Sequence, residues 1–386
     1  MRPRIPLVLF ALAVVVAACS GDTAAPSADP GPPDTTAGSV AGAAEPETAA
    51  GDSADGDAGE QDSPPLVTVP QIEGDDDVVR NSAFWDMTDD DFPEPLVDPD
   101  LIRPGGPPPD GIPPIDVPRF EVADTIDWLA DAEPVVVLAV GDERRAYPVQ
   151  VLTWHEIVND TIGDTPVTVA YCPLCNSALA YDRRLGDRIL DFGTSGMLLH
   201  SSLVMYDRQT ESLWSHFTAE AVIGELAGNE LATLPVEMQS WATFRDANPD
   251  GLVLTRDTGY SRDYGRNPYV GYDDPDGDPF LFDGELDDRL AAQTRVVVIR
   301  ADDDAAAIPL DVLAAAGSLT VEVGGRSLDV SHVDGMASAL ETERIADGRD
   351  VGATRVVDES GTPVEHLDTF WFAIAAFDPD VRIVTG

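Results

Sequence analysis

The sequence predicts a β-rich α+β fold, with a mixed or antiparallel sheet and few helices. Three observations predict it. Beyond residue 130, short runs of β-branched and aromatic residues recur between Gly, Asp and Pro, the spacing of strands and turns. Pairs of such runs flank tight turns, as Gly324-Gly325 does between 319–323 and 327–331. A single stretch, 151–159, has helical spacing, so the strand-helix alternation of a Rossmann sheet is missing. No thioredoxin pattern surrounds the cysteines, and no internal repeat is read from the sequence.

In chain order, Met1-Arg2-Pro3-Arg4 is a cationic start and 5–17 an apolar run of about 13 residues, too short to span a bilayer. Val16-Ala17-Ala18-Cys19 has the form of a bacterial lipobox. Residues 1–18 are therefore expected to be a lipoprotein signal peptide, with Cys19 carrying the lipid. The expected location is the cell envelope, anchored on the extracytoplasmic face of the membrane. Residues 19–80 are rich in Ala, Asp, Gly, Pro and Ser, with fourteen acidic residues and one arginine. Such a segment cannot bury enough apolar surface to fold and is expected to be an extended tether. Residues 81–118 read as a Pro-rich extended lead-in.

Residues 119–386 are long enough for one large globular domain. Within it, 135–140 and 146–149 are expected strands and 151–159 a helix. Strands are expected again at 167–171, 178–182 and 189–192, followed by a hairpin of 203–206 and 212–215. Further strands are expected at 252–255, 295–300, 319–323, 327–331 and 370–375.

The net charge is −48, and the 23 basic residues are all arginine. Such a surface disfavours nucleic acid and anionic lipid headgroups.

Once Cys19 is assigned to lipid, Cys172-Pro173-Leu174-Cys175 carries the remaining two cysteines of the chain. At the end of a strand, this spacing suits a redox dithiol, half of a metal site or a small staple. As a dithiol, Cys172 would attack and Cys175 would resolve the mixed disulfide, with an extracytoplasmic redox partner. As a metal site, the two thiolates would be joined by His155, His200 or Met197, with His216 and Met205 further choices, a set that suits copper or zinc. Haem attachment is disfavoured because Asn176, not histidine, follows the second cysteine. A staple closes too small a loop to stabilise much, which leaves a non-catalytic ligand-binding scaffold as the third reading. Ser195 in Gly193-Thr194-Ser195-Gly196 lacks the spacing of a nucleophile elbow.

The chain's motifs come in the order HEIVND (155–160), PVTVAYCPLCNSA (166–178), FGTSG (192–196) and MYDRQTESLWS (205–215). The Trp241 and Asn248-Pro249 segment and a Tyr- and Arg-rich loop (257–269) follow. This order resembles the bacterial domain of unknown function family numbered 3179, over 112–274, with a closing motif at 370–373. The resemblance implies no activity by itself. Some members resemble selenoproteins, with selenocysteine at a motif cysteine, which implies thiol redox chemistry. It also implies glutamine more often than histidine at position 216. The function expected from the sequence is a lipid-anchored thiol redox protein.

Overall fold

The computed structural model describes residues 81–386 and the short strand Val67–Thr68. The expected signal peptide, Cys19 and most of the expected tether lie outside the described residues. The fold is mostly β. Its antiparallel sheets are arranged like a five-blade propeller, and among the described residues the α-helices are four elements of seven residues each. No helix among the described residues is long and apolar enough to cross a membrane.

A duplication organises the propeller. Strand Pro134–Val140, strand Glu143–Pro148, helix α1 (Val149–His155), strand Ile157–Ile162 and strand Thr165–Cys172 follow one another in the first half. The second half repeats them in order and in length, 161 positions on. They recur as Arg295–Ala301, Asp304–Pro309, a helix Leu310–Ala316, Ser318–Val323 and Arg326–Val333. Each copy then closes with a strand, a helix and a short strand. In the first these are Val236–Ser240, α2 (Trp241–Ala247) and Leu252–Leu254; in the second, Leu367–Phe370, Trp371–Phe377 and Arg382–Ile383. We call the two later helices α3 (Leu310–Ala316) and α4 (Trp371–Phe377).

The sheet pairings repeat as well. Val236–Ser240 pairs antiparallel with Pro134–Val140, as Leu367–Phe370 does with Arg295–Ala301. Leu252–Leu254 runs parallel to Glu143–Pro148, as Arg382–Ile383 does to Asp304–Pro309. Contrary to the sequence reading, the chain therefore contains an internal repeat. The signal in sequence is thin because most shared positions hold Val, Ala or Pro, common residues that many strand pairs would share.

Local chemistry explains the repeated joints. Pro148 and Pro309 end a strand with φ of −61° and −58° and lead into the helix, where a missing N–H costs nothing. Each helix stops after two turns at a residue with positive φ, Glu156 or Gly317, whose N–H bonds back to Leu152 or Leu313. The helix expected at 151–159 is therefore shorter, and its second half is the buried strand Ile157–Ile162. The strand expected at 370–375 is mostly α4. Trp371, Phe372 and Ile374 are all buried, so the run shows no period, and its alanines favour helix.

The two copies differ in their insertions. In the first, residues 183–235 build a further blade from Phe192–Leu199, Ser202–Asp207, Leu213–Ser215 and Ala221–Ile223. Ile102–Pro104 of the Pro-rich lead-in joins this sheet beside Met197–Leu199. Gly196 (φ 75°) lets the lead-in approach, since a Cβ there would lie 2.0 Å from the Pro107 oxygen. The FGTSG motif is thus a bulge that receives the lead-in, with Ser195 bonded to the Val204 carbonyl. Val67–Thr68, within the stretch expected as tether, pairs with Arg119-Phe120. One large core, including Phe120, Tyr147, Trp214, Phe370 and Trp371, runs through both copies.

Candidate thiol site

Strands Thr165–Cys172 and Ser177–Asp182 form a hairpin in which Cys172 pairs with Ser177, so the C-x-x-C motif is the hairpin's turn. Asn176 takes φ of 50°, a value asparagine tolerates, and its N–H bonds to Pro173 O at 3.2 Å. Both cysteines are free and buried, Cys172 at 2 % exposure and Cys175 at 0 %. Three distant segments meet them. From the hairpin turn after Leu199, Ser202 Oγ accepts from Cys175 Sγ at 3.6 Å, and Leu203 N–H donates to Cys172 Sγ. Ser177 Oγ lies 3.0 Å from Cys175 Sγ and 3.0 Å from His216 Nε2. From the second copy, Thr369 Oγ1 and Phe370 N–H hold the Cys175 carbonyl at 2.8 and 3.1 Å.

The electrostatics separate the two sulfurs. Burial, together with its hydrogen bond to Cys175, pushes the Cys172 thiol well above its ordinary value. Burial also opposes charge on Cys175, but hydrogen bonds with Cys172, Ser177 and Ser202 outweigh it and hold that thiol below its ordinary value. Of the two, Cys175 is therefore the thiol that gives up its proton more readily. Burial holds His216 neutral, at about 4. His216 Nε2 is thus held by Ser177, and its Nδ1 is buried without a partner among the described residues.

Glu156 is the fourth element. Tyr171 N–H donates to its carbonyl at 2.8 Å, which sets Glu156 opposite Tyr171 and one residue from Cys172. Its backbone has φ of 58° and ψ of −34°, and the matching residue of the second copy is Gly317 at 72° and −43°. A side chain in that region is strained, by about 1–3 kcal/mol. The residue keeps 8 % exposure, and its carboxyl has no hydrogen bond or salt bridge among the described residues. Burial, then the nearby Cys172 sulfur, pushes it up to about 8.

The model of the family described as "Protein of unknown function (DUF3179)" matches residues 109–381. The chain belongs to this family. The match reaches beyond 112–274 and 370–373 and takes in both copies of the repeat. No curated protein and no solved structure matches the chain.

Within this DUF3179 protein the residues expected to join the cysteines in a metal site are dispersed. His155 is buried with both ring nitrogens engaged, Nδ1 with Pro113 O at 2.7 Å and Nε2 with Tyr264 OH at 2.6 Å. His200, in the turn after Leu199, packs its ring on Phe282 and Phe377. Met197 belongs to the separate apolar cluster of the inserted blade, while Met205 is buried in the main core. Among the described residues no group of three or more His, Cys, Asp or Glu is placed to hold a metal ion. The copper or zinc set of Cys172, Cys175, His155, His200 and Met197 is therefore not assembled here.

Sequence reasoning missed Glu156, Ser177 and Ser202 and offered His216 only as a further choice of metal ligand. One signal could have found Glu156: aligning the copies sets it against a glycine. The Tyr-rich loop does approach the site, since Tyr269 is affected by charge on both Glu156 and Cys172. Asp273 anchors that loop, buried between Arg295 and Arg349 at 3.0 Å from each.

Proposed function

We propose that this DUF3179 protein is a thiol oxidoreductase, held on the extracytoplasmic face of the membrane by lipid on Cys19. The observation that carries the reading is the pair itself: two free thiols in one turn, with the surroundings holding the proton harder on Cys172 than on Cys175. A staple would need no serine hydroxyls hydrogen-bonded to a sulfur. The anchor rests on the lipobox, and the acidic surface argues for a protein partner over nucleic acid.

The chemistry is exchange with a disulfide. Cys172, the sulfur with residual exposure, loses its proton and attacks the partner's disulfide, which breaks to release one thiolate and leaves a mixed disulfide. The Cys175 thiolate then attacks Cys172 Sγ, forming the intramolecular disulfide and releasing the second partner sulfur. Two electrons pass to the partner's disulfide, whose sulfurs leave as thiols after taking the Cys172 proton and one from solvent. The reverse sequence reduces the turn.

Thiol counting and a redox titration of the purified chain test this. A single two-electron transition is expected, lost in Cys172→Ser, while Cys175→Ser traps a mixed disulfide on Cys172. Thiols that stay unreactive after mild reduction, with no disulfide formed on oxidation, would sink the proposal.

A further inference from the structure

We infer that Glu156 is the group that takes the proton from Cys172 when that thiol attacks, an assignment that rests on the dithiol reading above. Three structural observations point to it. Glu156 occupies a backbone conformation that the second copy fills with Gly317, so the fold does not require a side chain there. Its carboxyl, on a residue 8 % exposed, makes no hydrogen bond or salt bridge among the described residues, so it is not retained for a structural contact. The pairing of Glu156 with Tyr171 puts it one residue from Cys172. A strained, unpaired carboxyl beside a thiol has its use in proton transfer.

The proton count explains why a second base is useful. If Cys172 gave its proton to Cys175, the resolving sulfur would become a thiol and would have to lose that proton before the second step. Transfer to Glu156 leaves Cys175 anionic, backed by Ser177 and Ser202, and ready to attack Cys172 Sγ. The proton then passes from the carboxyl to the departing partner thiolate. Glu156 keeps 8 % exposure, so solvent can reset it.

The titratable groups facing Glu156 are Cys172 and Tyr171 on the neighbouring strand and Tyr269 from the loop. His155 precedes it with both nitrogens bound elsewhere. Burial raises both tyrosines, which stay neutral through the range in which the carboxyl titrates.

The test is the rate of iodoacetamide modification at Cys172, read by peptide mass spectrometry on the full chain from pH 6 to pH 9.5. In the parent the rate is expected to rise with an inflection near 8, where the carboxyl ionises. Glu156→Gln should remove that inflection and slow modification about tenfold or more at pH 8.5. Glu156→Gly should remove it too while raising the thermal midpoint, because the strain is gone. A purely structural Glu156 would give the higher midpoint with the parental pH profile, and that result in the glycine variant would overturn the assignment. An unchanged profile in Glu156→Gln would do the same. The two readings fail separately: a parent that forms no Cys172–Cys175 disulfide defeats the dithiol reading, and an unchanged profile defeats the role of Glu156.

Discussion

The two copies of the repeat share a backbone plan and hold opposite interiors. In the first, Arg145 donates to both oxygens of Asp160 at 2.6 and 2.5 Å, and Tyr147 OH donates to Asp160 at 2.6 Å, all three side chains buried. The same three positions of the second are Ala306, Ile308 and Val321, with no charge to satisfy. Glu156 matches Gly317, His155 matches Ala316, and Cys172 matches Val333. Val333 is 38 % exposed, whereas Cys172 is buried. Apolar residues thus suffice to build this blade pair. The polar set of the first copy is surplus to the fold, and a buried ion pair seldom stabilises more than the apolar residues that could replace it.

That contrast can be broken most severely at Asp160. Asp160→Ala leaves the buried Arg145 with Glu143 as its one remaining ion-pair partner among the described residues, and should lower unfolding free energy by at most about 3–5 kcal/mol, measured by denaturant titration. Copying the second half, with Arg145→Ala, Tyr147→Ile and Asp160→Val together, should be less damaging than the single change. A triple variant worse than Asp160→Ala would mean that the polar set does hold the first copy together.

Next in size is acid lability, which belongs to the first half. His155 and His216 are held at about 4 in the fold by burial, below the ordinary value of 6.5. Each therefore contributes stability that is present above pH 6.5 and lost as pH falls toward 4, about 3 kcal/mol apiece as an upper figure. His216→Gln keeps a donor for Ser177 and should remove one share, read as a smaller drop in denaturation midpoint between pH 7.5 and 4.5.

The smallest effect is at the shared helix stop. Glu156→Gly should stabilise by about 1 kcal/mol near pH 5, strain relief being partly offset by the entropy of glycine in the unfolded chain. The sign with pH is opposite to that of the histidines. A carboxyl raised from 4.5 to about 8 loses its stability contribution as pH rises through that window, so the gain from glycine should grow toward pH 8. Denaturation at the two pH values checks this, and Gly317→Glu should carry the same penalty into the second copy.

Much of the strand content was legible in the sequence, because Val135-Val136-Val137 or the alternation around Gly324-Gly325 encodes strand and turn locally. The end of α1 was not. Trp154 and Val158 continue a helical spacing, and what stops the helix is Glu156 pairing with Tyr171, a contact across the sheet. Nor was α4, whose apolar residues are buried all round and carry no period. Of the site, the two sulfurs were legible as a motif. Their donors were not, since serine and histidine side chains are common and only a fold brings Ser202 and His216 to residue 175.

By itself the sequence determined a β-rich class, membership of the DUF3179 family and a C-x-x-C motif at a strand end, because each is written in neighbouring residues. Tertiary structure decided which sulfur gives up its proton more readily. That depends on hydroxyls 2 and 27 residues away along the chain, on a carbonyl held by Thr369 from the second copy, and on burial. A thiol's proton affinity is set by the field and solvent at one point in space, and only the folded chain fixes what stands there.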